Sequence, residues 1–333
     1  MLLKELTQAF GVSGYEKEIR EVIKSAVKDY ADEITVDAIG NLIVLKKGTG
    51  ENKKKIMAAA HMDEIGFQVM KIEDKGFIKV RGLGGIPVGA SVMNRVKFRN
   101  GTMGVFSSTV KIDEIKNDIK KLYIDIGAQS KEEAEKYVKV GDVASYDGQY
   151  VELKDNNVIA KALDDRIGCY IMIEALKKLN NPYNDVYFVF TVQEEVGLRG
   201  ATVAAERVKP DLGIALDVTV AFDYPNSGEG SNTLGGGVAI KISDGSVLCD
   251  EYLVDEMIKC AEESSIKYQR DIIDAGGTDA GAINRSYFGV KASGISVATR
   301  YVHGPNCFVN MKDTEACIEL LSKYVDREFM FEE

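Results

Sequence analysis

Apolar positions recur along this chain with two different periods, and the change from one to the other divides it. Leu2, Leu3, Leu6, Ala9 and Phe10 fall at helical spacing. Ile19, Val22, Ile23, Ala26, Val27 and Tyr30 form one face of a second helix. Between the two, Ser13 followed by Glu16 predicts a capping box. Residues 34–37 and 41–45 read as a hairpin around Ala38-Ile39-Gly40. Ile56-Met57-Ala58-Ala59-Ala60 is apolar without alternation, as expected of a strand buried on both faces, and His61 stands at its end.

From Phe67 to about Asn157 the pattern becomes short alternating runs separated by glycine turns, such as Arg95-Val96-Lys97-Phe98 and Leu122-Tyr123-Ile124-Asp125-Ile126. One short helix over 131–138 interrupts them. This stretch predicts a compact all-β insert, a barrel or a sandwich. After it the alternation of strands and helices resumes. A helix follows Ala162-Leu163-Asp164-Asp165-Arg166, and a strand runs from Asp185 to Phe190 before Gln193-Glu194-Glu195. Another strand, Leu212-Gly213-Ile214-Ala215-Leu216, ends at Asp217, and residues 294–299 lead to His303. This grammar predicts an α/β fold, a mainly parallel sheet with helices on both faces. Residues 1–66 and 158–333 would form that unit, discontinuous in sequence, and 67–157 the insert.

Composition narrows the function classes. The net charge of -10 argues against nucleic acid as a partner, because phosphate binding needs a basic face. No apolar run approaches the roughly 20 residues that span a bilayer, so no membrane association is expected. The N-terminal Met1-Leu2-Leu3-Lys4-Glu5-Leu6 is too charged for a signal peptide. Five cysteines without a C-x-x-C spacing read as reduced thiols of a cytoplasmic protein.

The chain has only two histidines, His61 and His303, each after a strand-like run. Glu194 and Glu195 stand where a buried strand runs out into a loop. They are either a solvated pair or the ligands of a cation. Function in open α/β sheets gathers beyond the carboxyl ends of the strands, where His61, Glu194, Glu195, Asp217 and His303 all fall. Asp164 opens a helix, where an N-cap and a ligand are both open readings. Two imidazoles with at least three carboxylates suit zinc, cobalt or manganese and exceed what one tetrahedral ion needs, so a two-metal site is the simplest reading. Asp63, two residues from His61, could fix the imidazole tautomer from behind. Gly228–Gly237 reads as a mobile substrate-facing loop or a plain connection, and Thr278 or Asp279 as an N-cap or a neighbour of the site.

His61-Met62-Asp63-Glu64-Ile65-Gly66, Ala162-Leu163-Asp164-Asp165-Arg166, Gln193-Glu194-Glu195-Val196-Gly197, Leu216-Asp217-Val218 and Tyr301-Val302-His303-Gly304-Pro305 occur in this order. Together they resemble the ordered signatures of the M42 family of metallo-aminopeptidases, which includes glutamyl and tetrahedral (TET) aminopeptidases. The resemblance implies a zinc-peptidase-like catalytic unit with two divalent ions per subunit, zinc or cobalt. His61 and Asp217 would hold one ion, Glu195 and His303 the other, with Asp164 bridging. Glu194 matches the general base, and Asp63 the carboxylate that supports the histidine. The insert resembles a barrel or PDZ-like dimerisation domain, implying a homo-oligomer between dimer and dodecamer that acts on short peptides. The competing functions are a glycoside hydrolase of endoglucanase type and a non-catalytic metal-binding assembly protein. Adjacent glutamates fit poorly to acids about 5 Å or more apart across a sugar bond, and the chain has no Trp to stack on a sugar.

Overall fold

The structure is a computed structural model and describes residues 1–331. In chain order, helices α1 (Leu2–Gln8) and α2 (Lys17–Val27) precede strands β1 (Glu33–Val36), β2 (Leu42–Lys46) and β3 (Lys55–His61). Six strands follow: β4 (Gly66–Ile72), β5 (Ile78–Leu83), β6 (Arg95–Phe98), β7 (Met103–Ser108), β8 (Leu122–Asp125) and β9 (Val143–Tyr146). Short helices α3 (Val88–Ser91) and α4 (Lys131–Ala134) lie among them. Then come β10 (Val151–Glu152), β11 (Asn157–Ala160), α5 (Leu163–Lys178), β12 (Asp185–Thr191), α6 (Arg199–Val208), β13 (Leu212–Val220) and β14 (Val238–Ser243). The last elements are α7 (Glu251–Glu263), β15 (Tyr268–Ile272), α8 (Asp279–Asn284), β16 (Lys291–Thr299), β17 (Cys307–Asn310) and α9 (Met311–Tyr324).

Eight strands form the main sheet in the order β1-β2-β12-β3-β13-β16-β14-β15. The central four, β12, β3, β13 and β16, run parallel, and β2 and β14 flank them antiparallel. The lack of alternation in β3 follows from its place. Ile56, Ala58 and Ala60 pack into the core beneath α1, α2, α5 and α9, while Met57 and Ala59 face the core beneath α6 and α8. Both faces are dry, so both must be apolar. Each large aliphatic side chain buried this way contributes about 1.5–3 kcal/mol.

β4 to β9 close into a barrel in the order β4-β5-β8-β7-β6-β9. Strands such as Arg95–Phe98 alternate buried and exposed residues, because only the inner face is packed there, whereas β9 is buried throughout and its Val143 packs on Phe10 and Val12. Phe67, Phe106 and Tyr146 meet edge to face in its core. β10 and β11 belong instead to a three-stranded sheet with β17.

Two local readings are corrected. Ser13 and Glu16 form no capping box. The Ser13 hydroxyl donates to Asp63 Oδ2 at 2.6 Å, and Glu16 accepts from the Gly14 amide. A buried carboxylate fifty residues away outcompetes a local helix end for that hydroxyl. The β13 strand also does not stop at Asp217. It runs on through the β-branched Val218 and Thr219 to Val220, paired with β16 throughout. Its pairing with β3 ends at Ala215, however, so Asp217 lies beyond the last β3 partner.

Candidate active site

Each of the four central parallel strands supplies a polar group at or beyond the point where the strand or one of its neighbours runs out. His61 is the last residue of β3, and Glu194 and Glu195 follow β12. Asp217 lies on β13 beyond its last β3 partner and is still paired with β16, and His303 sits in the turn after β16 with a left-handed backbone, φ 63°. The thiol of Cys307 donates to the carbonyls of Tyr301 and Gly304 and so ties that turn.

Asp164 is the hub. Its Oδ1 lies 3.1 Å from His61 Nε2 and its Oδ2 3.2 Å from His303 Nε2. His303 Nε2 is also 3.3 Å from Glu195 Oε1, and His61 Nε2 is 3.9 Å from Glu194 Oε2. Asp217 joins His61 and Glu194, with one ligand atom from each within 4.8 Å of the others. His61, Asp164 and Glu195 meet the same criterion. The six groups named from sequence are therefore brought together.

Asp164 is free for this because its neighbour caps the helix. Asp165 Oδ1 accepts the Gly168 amide at 2.9 Å, and its Oδ2 accepts the His61 amide at 3.2 Å. The peptide joining the two aspartates is cis. A Cβ on Gly168 would lie 2.4 Å from Asp165 Oδ1, so the helix needs glycine there.

Asp63 is placed differently from the expectation. The nearer partner of His61 Nδ1 is the backbone carbonyl of Asp63 at 3.2 Å, and the carboxylate stands at 3.6 Å, beyond an ordinary hydrogen bond. The carboxylate accepts the backbone amides of Glu194 at 3.0 Å and Glu195 at 3.3 Å, in addition to Ser13. It docks the glutamate loop as well as standing behind the imidazole.

Some contributors escaped the sequence. His303 Nδ1 lies 2.7 Å from the carbonyl of Gly85, on the segment that leaves barrel strand β5. Gly84, at φ +91°, would place a Cβ 2.9 Å from Glu195 Oε2. The signal was Gly82-Leu83-Gly84-Gly85, but backbone groups leave no polar side chain to read. Thr278 stands at the N-cap position of α8 without a side-chain cap bond and lines the same pocket as the cluster, and Asp279 is the first residue of that helix. Asp279 accepts the Thr191 hydroxyl at 2.6 Å, and Thr278 donates to Asp244. Burial raises the pKa of Asp279 to about 6.

The electrostatics are those of crowded acids in a dry place. Burial, with Asp164 beside it, pushes the Asp217 carboxyl well above its usual value, and burial does the same to Glu194. Burial opposes charge on His303, yet Asp164 and Glu195 outweigh it and raise its pKa to about 12. Burial likewise works against ionisation of Asp164, but His303 and His61 hold its pKa below the ordinary carboxylate value. The ion-pair partners of Asp164, Glu194 and Glu195 among the described residues are imidazoles, not Lys or Arg. Four carboxylates with two imidazoles carry a surplus of negative charge that divalent cations would neutralise, and their donor atoms are those such cations take. The residues present fit the group.

The M42 glutamyl aminopeptidase family model matches residues 40–320, and a second model, AMPT, matches residues 1–23. The chain belongs to the M42 aminopeptidase family. A protein of Acetivibrio thermocellus, provisionally named an aminopeptidase, is 47% identical over 321 residues, which cover 96% of each chain. The lysyl aminopeptidase of Pyrococcus furiosus is 32% identical, covering 96% of this chain and 94% of its own. Among solved structures, aminopeptidase APDkam598 of Desulfurococcus kamchatkensis superposes with a TM-score of 0.93 at 37% identity, over 98% of this chain and 93% of that one. The TET1 peptidase of Pyrococcus horikoshii, which assembles into a tetrahedron or a large octahedral shell, matches with a TM-score of 0.86 at 36% identity, over 98% and 99%. Membership of this family makes the chain an aminopeptidase and does not favour the glycoside-hydrolase alternative.

Proposed function

We propose that this aminopeptidase removes N-terminal residues from short peptides at a centre built on two divalent ions, zinc or cobalt. His61 and Asp217 would hold one ion, Glu195 and His303 the other, with Asp164 shared. The observation that carries the proposal is the position of Asp164, whose two oxygens face the chain's only two histidines. When bound, the ions would polarise the scissile carbonyl and acidify a water. Glu194, whose carboxylate lies on the His61 side of the cluster, takes the proton of the attacking water and delivers it to the leaving amine. Asp63 holds the amides of Glu194 and Glu195 and so fixes the angle from which that carboxylate works. The acidic cluster attracts the free α-ammonium of a substrate, which makes the enzyme an exopeptidase.

Glu194→Gln tests the assignment. The amide keeps the shape and cannot take the proton, so turnover should fall by about 10²–10⁴-fold while metal content is unchanged. A fully active variant would overturn the role. An intact metal content with lost turnover also separates the peptidase from a non-catalytic metal-binding protein.

We further propose that residues 67–157 form a separate dimerisation unit and that 1–66 with 158–333 form the catalytic one. Met93, Ile112 and Val140 stand exposed on the insert. The assembly of the Pyrococcus horikoshii relative supports an oligomer between dimer and dodecamer. Light scattering that reports a strict monomer would remove this role. A cytoplasmic setting is supported by five free cysteines and no disulfide. No helix among the described residues is long and apolar enough to cross a membrane.

A further inference from the structure

The acidic cluster forms the floor of a pocket of about 580 Å³, a volume in the range of small-ligand sites. Above the floor its walls are Leu198, Val218, Val220, Ile273, Ala275 and Val302, with glycine and threonine between them. Every charged side chain that lines the pocket belongs to the cluster already described.

Arg199, next to the wall residue Leu198, is exposed, donates to Gln193 Oε1 at 3.1 Å and does not line the pocket. Other charges near these walls in sequence are occupied or turned away. Arg300 gives two hydrogen bonds to Asp223, both of 2.8 Å. Lys241 is fully buried against Asp271 at 2.6 Å. Asp274, between two wall residues, is exposed and does not line the pocket. A glutamate side chain seated against these walls would lose hydration and meet no cation beyond the cluster. A lysine side chain would meet no carboxylate beyond those of the cluster. Stripping water from a charge without pairing it is expensive, whereas an aliphatic side chain gains from the same walls.

Resting on the aminopeptidase reading above, we propose that this chain takes peptides whose first residue is neutral and aliphatic and discriminates against acidic and basic ones. Neither the glutamyl description of the family model nor the lysyl name of the Pyrococcus furiosus relative fits these walls.

The test is a panel of Leu-, Val-, Ala-, Glu- and Lys-p-nitroanilides with the full chain supplied with Zn or Co. Leu or Val should lead, with kcat/KM about 10²-fold above Glu and Lys. Glu or Lys in the lead would overturn this proposal and leave the aminopeptidase reading standing. Hydrolysis of none of the five would overturn both. Ala275→Arg, at an exposed position, should raise the ratio of Glu to Leu turnover at least about tenfold, and Ile273→Arg, two residues away on the same segment, should do the same. An unchanged ratio in a variant that melts like the wild type would overturn the assignment of these walls.

Discussion

The carboxylate of Asp63 accepts the backbone amide of Glu194 at 3.0 Å, and through its other oxygen the amide of Glu195. A residue on the loop after β3 thereby sets the position of the loop after β12. Burial opposes charge on Asp63, but His61 and the Ser13 hydroxyl hold its pKa below the ordinary value, so it meets these donors as an anion.

Asp63→Asn should therefore act on more than the imidazole. The new amide turns one N–H₂ towards a set of donors, and the glutamate loop loses half its anchor. Metal affinity and turnover should each fall by about 10–100-fold. Metal content after dialysis, measured beside kcat, checks this; an effect on kcat with full metal retention would limit Asp63 to the loop.

Gly84 and Gly85 give a second test. A methyl on Gly85 would sit 2.9 Å from His303 Nδ1, and Gly84 holds a left-handed φ of +91°. Gly84→Ala should cost about 1–3 kcal/mol from backbone strain. Gly85→Ala should leave the melting temperature closer to wild type but weaken binding of the ion proposed at His303, as titration of the apoenzyme would report.

Glu16 supplies a pH dependence. Burial, with Asp63 nearby, raises its pKa from 4.5 to about 7 in the folded chain. Between those values the unfolded chain ionises Glu16 and the folded chain does not, so stability falls as pH rises through that window. Glu16→Gln keeps an acceptor for the Gly14 and Gln193 amides and removes the ionisation. It should stabilise the protein by on the order of 1–3 kcal/mol at pH 8 and change little at pH 4. Urea melts at the two pH values check the sign.

The buried pair of Lys241 and Asp271 makes the fourth. Asn232 and Thr219 also donate to Asp271, so the acid is well partnered. Lys241→Met would strand it and should cost about 3–5 kcal/mol. Lys241→Met combined with Asp271→Leu should recover much of that loss. Denaturant unfolding of the two variants and the wild type tests the coupling.

What was legible in the sequence follows one physical rule. A polar residue after a run of apolar ones is conspicuous, which exposed His61, Glu194, Glu195 and His303. Asp217 was found as a residue, although its strand continues past it. Asp165 was hidden because it stands next to Asp164, and sequence does not say which aspartate caps the helix and which faces the histidines. The Ser13 hydroxyl was misread because its true partner lies far along the chain. Gly85 was invisible because its contribution is a carbonyl that every residue owns. The partnership of Lys241 with Asp271 was not read because it joins two strands nearly thirty residues apart.

The carbonyl of Gly85 reaches His303 from the segment leaving the barrel, so the insert is not a detachable accessory. Replacing it with another small barrel, even with every side chain of the acidic cluster kept, would remove the oxygen that faces Nδ1 and leave His303 held only through its Nε2 contacts with Asp164 and Glu195. A graft would work only if its incoming loop returned a single peptide oxygen to the same spot. Two chemically unrelated tasks, presenting an outer surface and aiming a ring, are thus written into one stretch of backbone and must vary together.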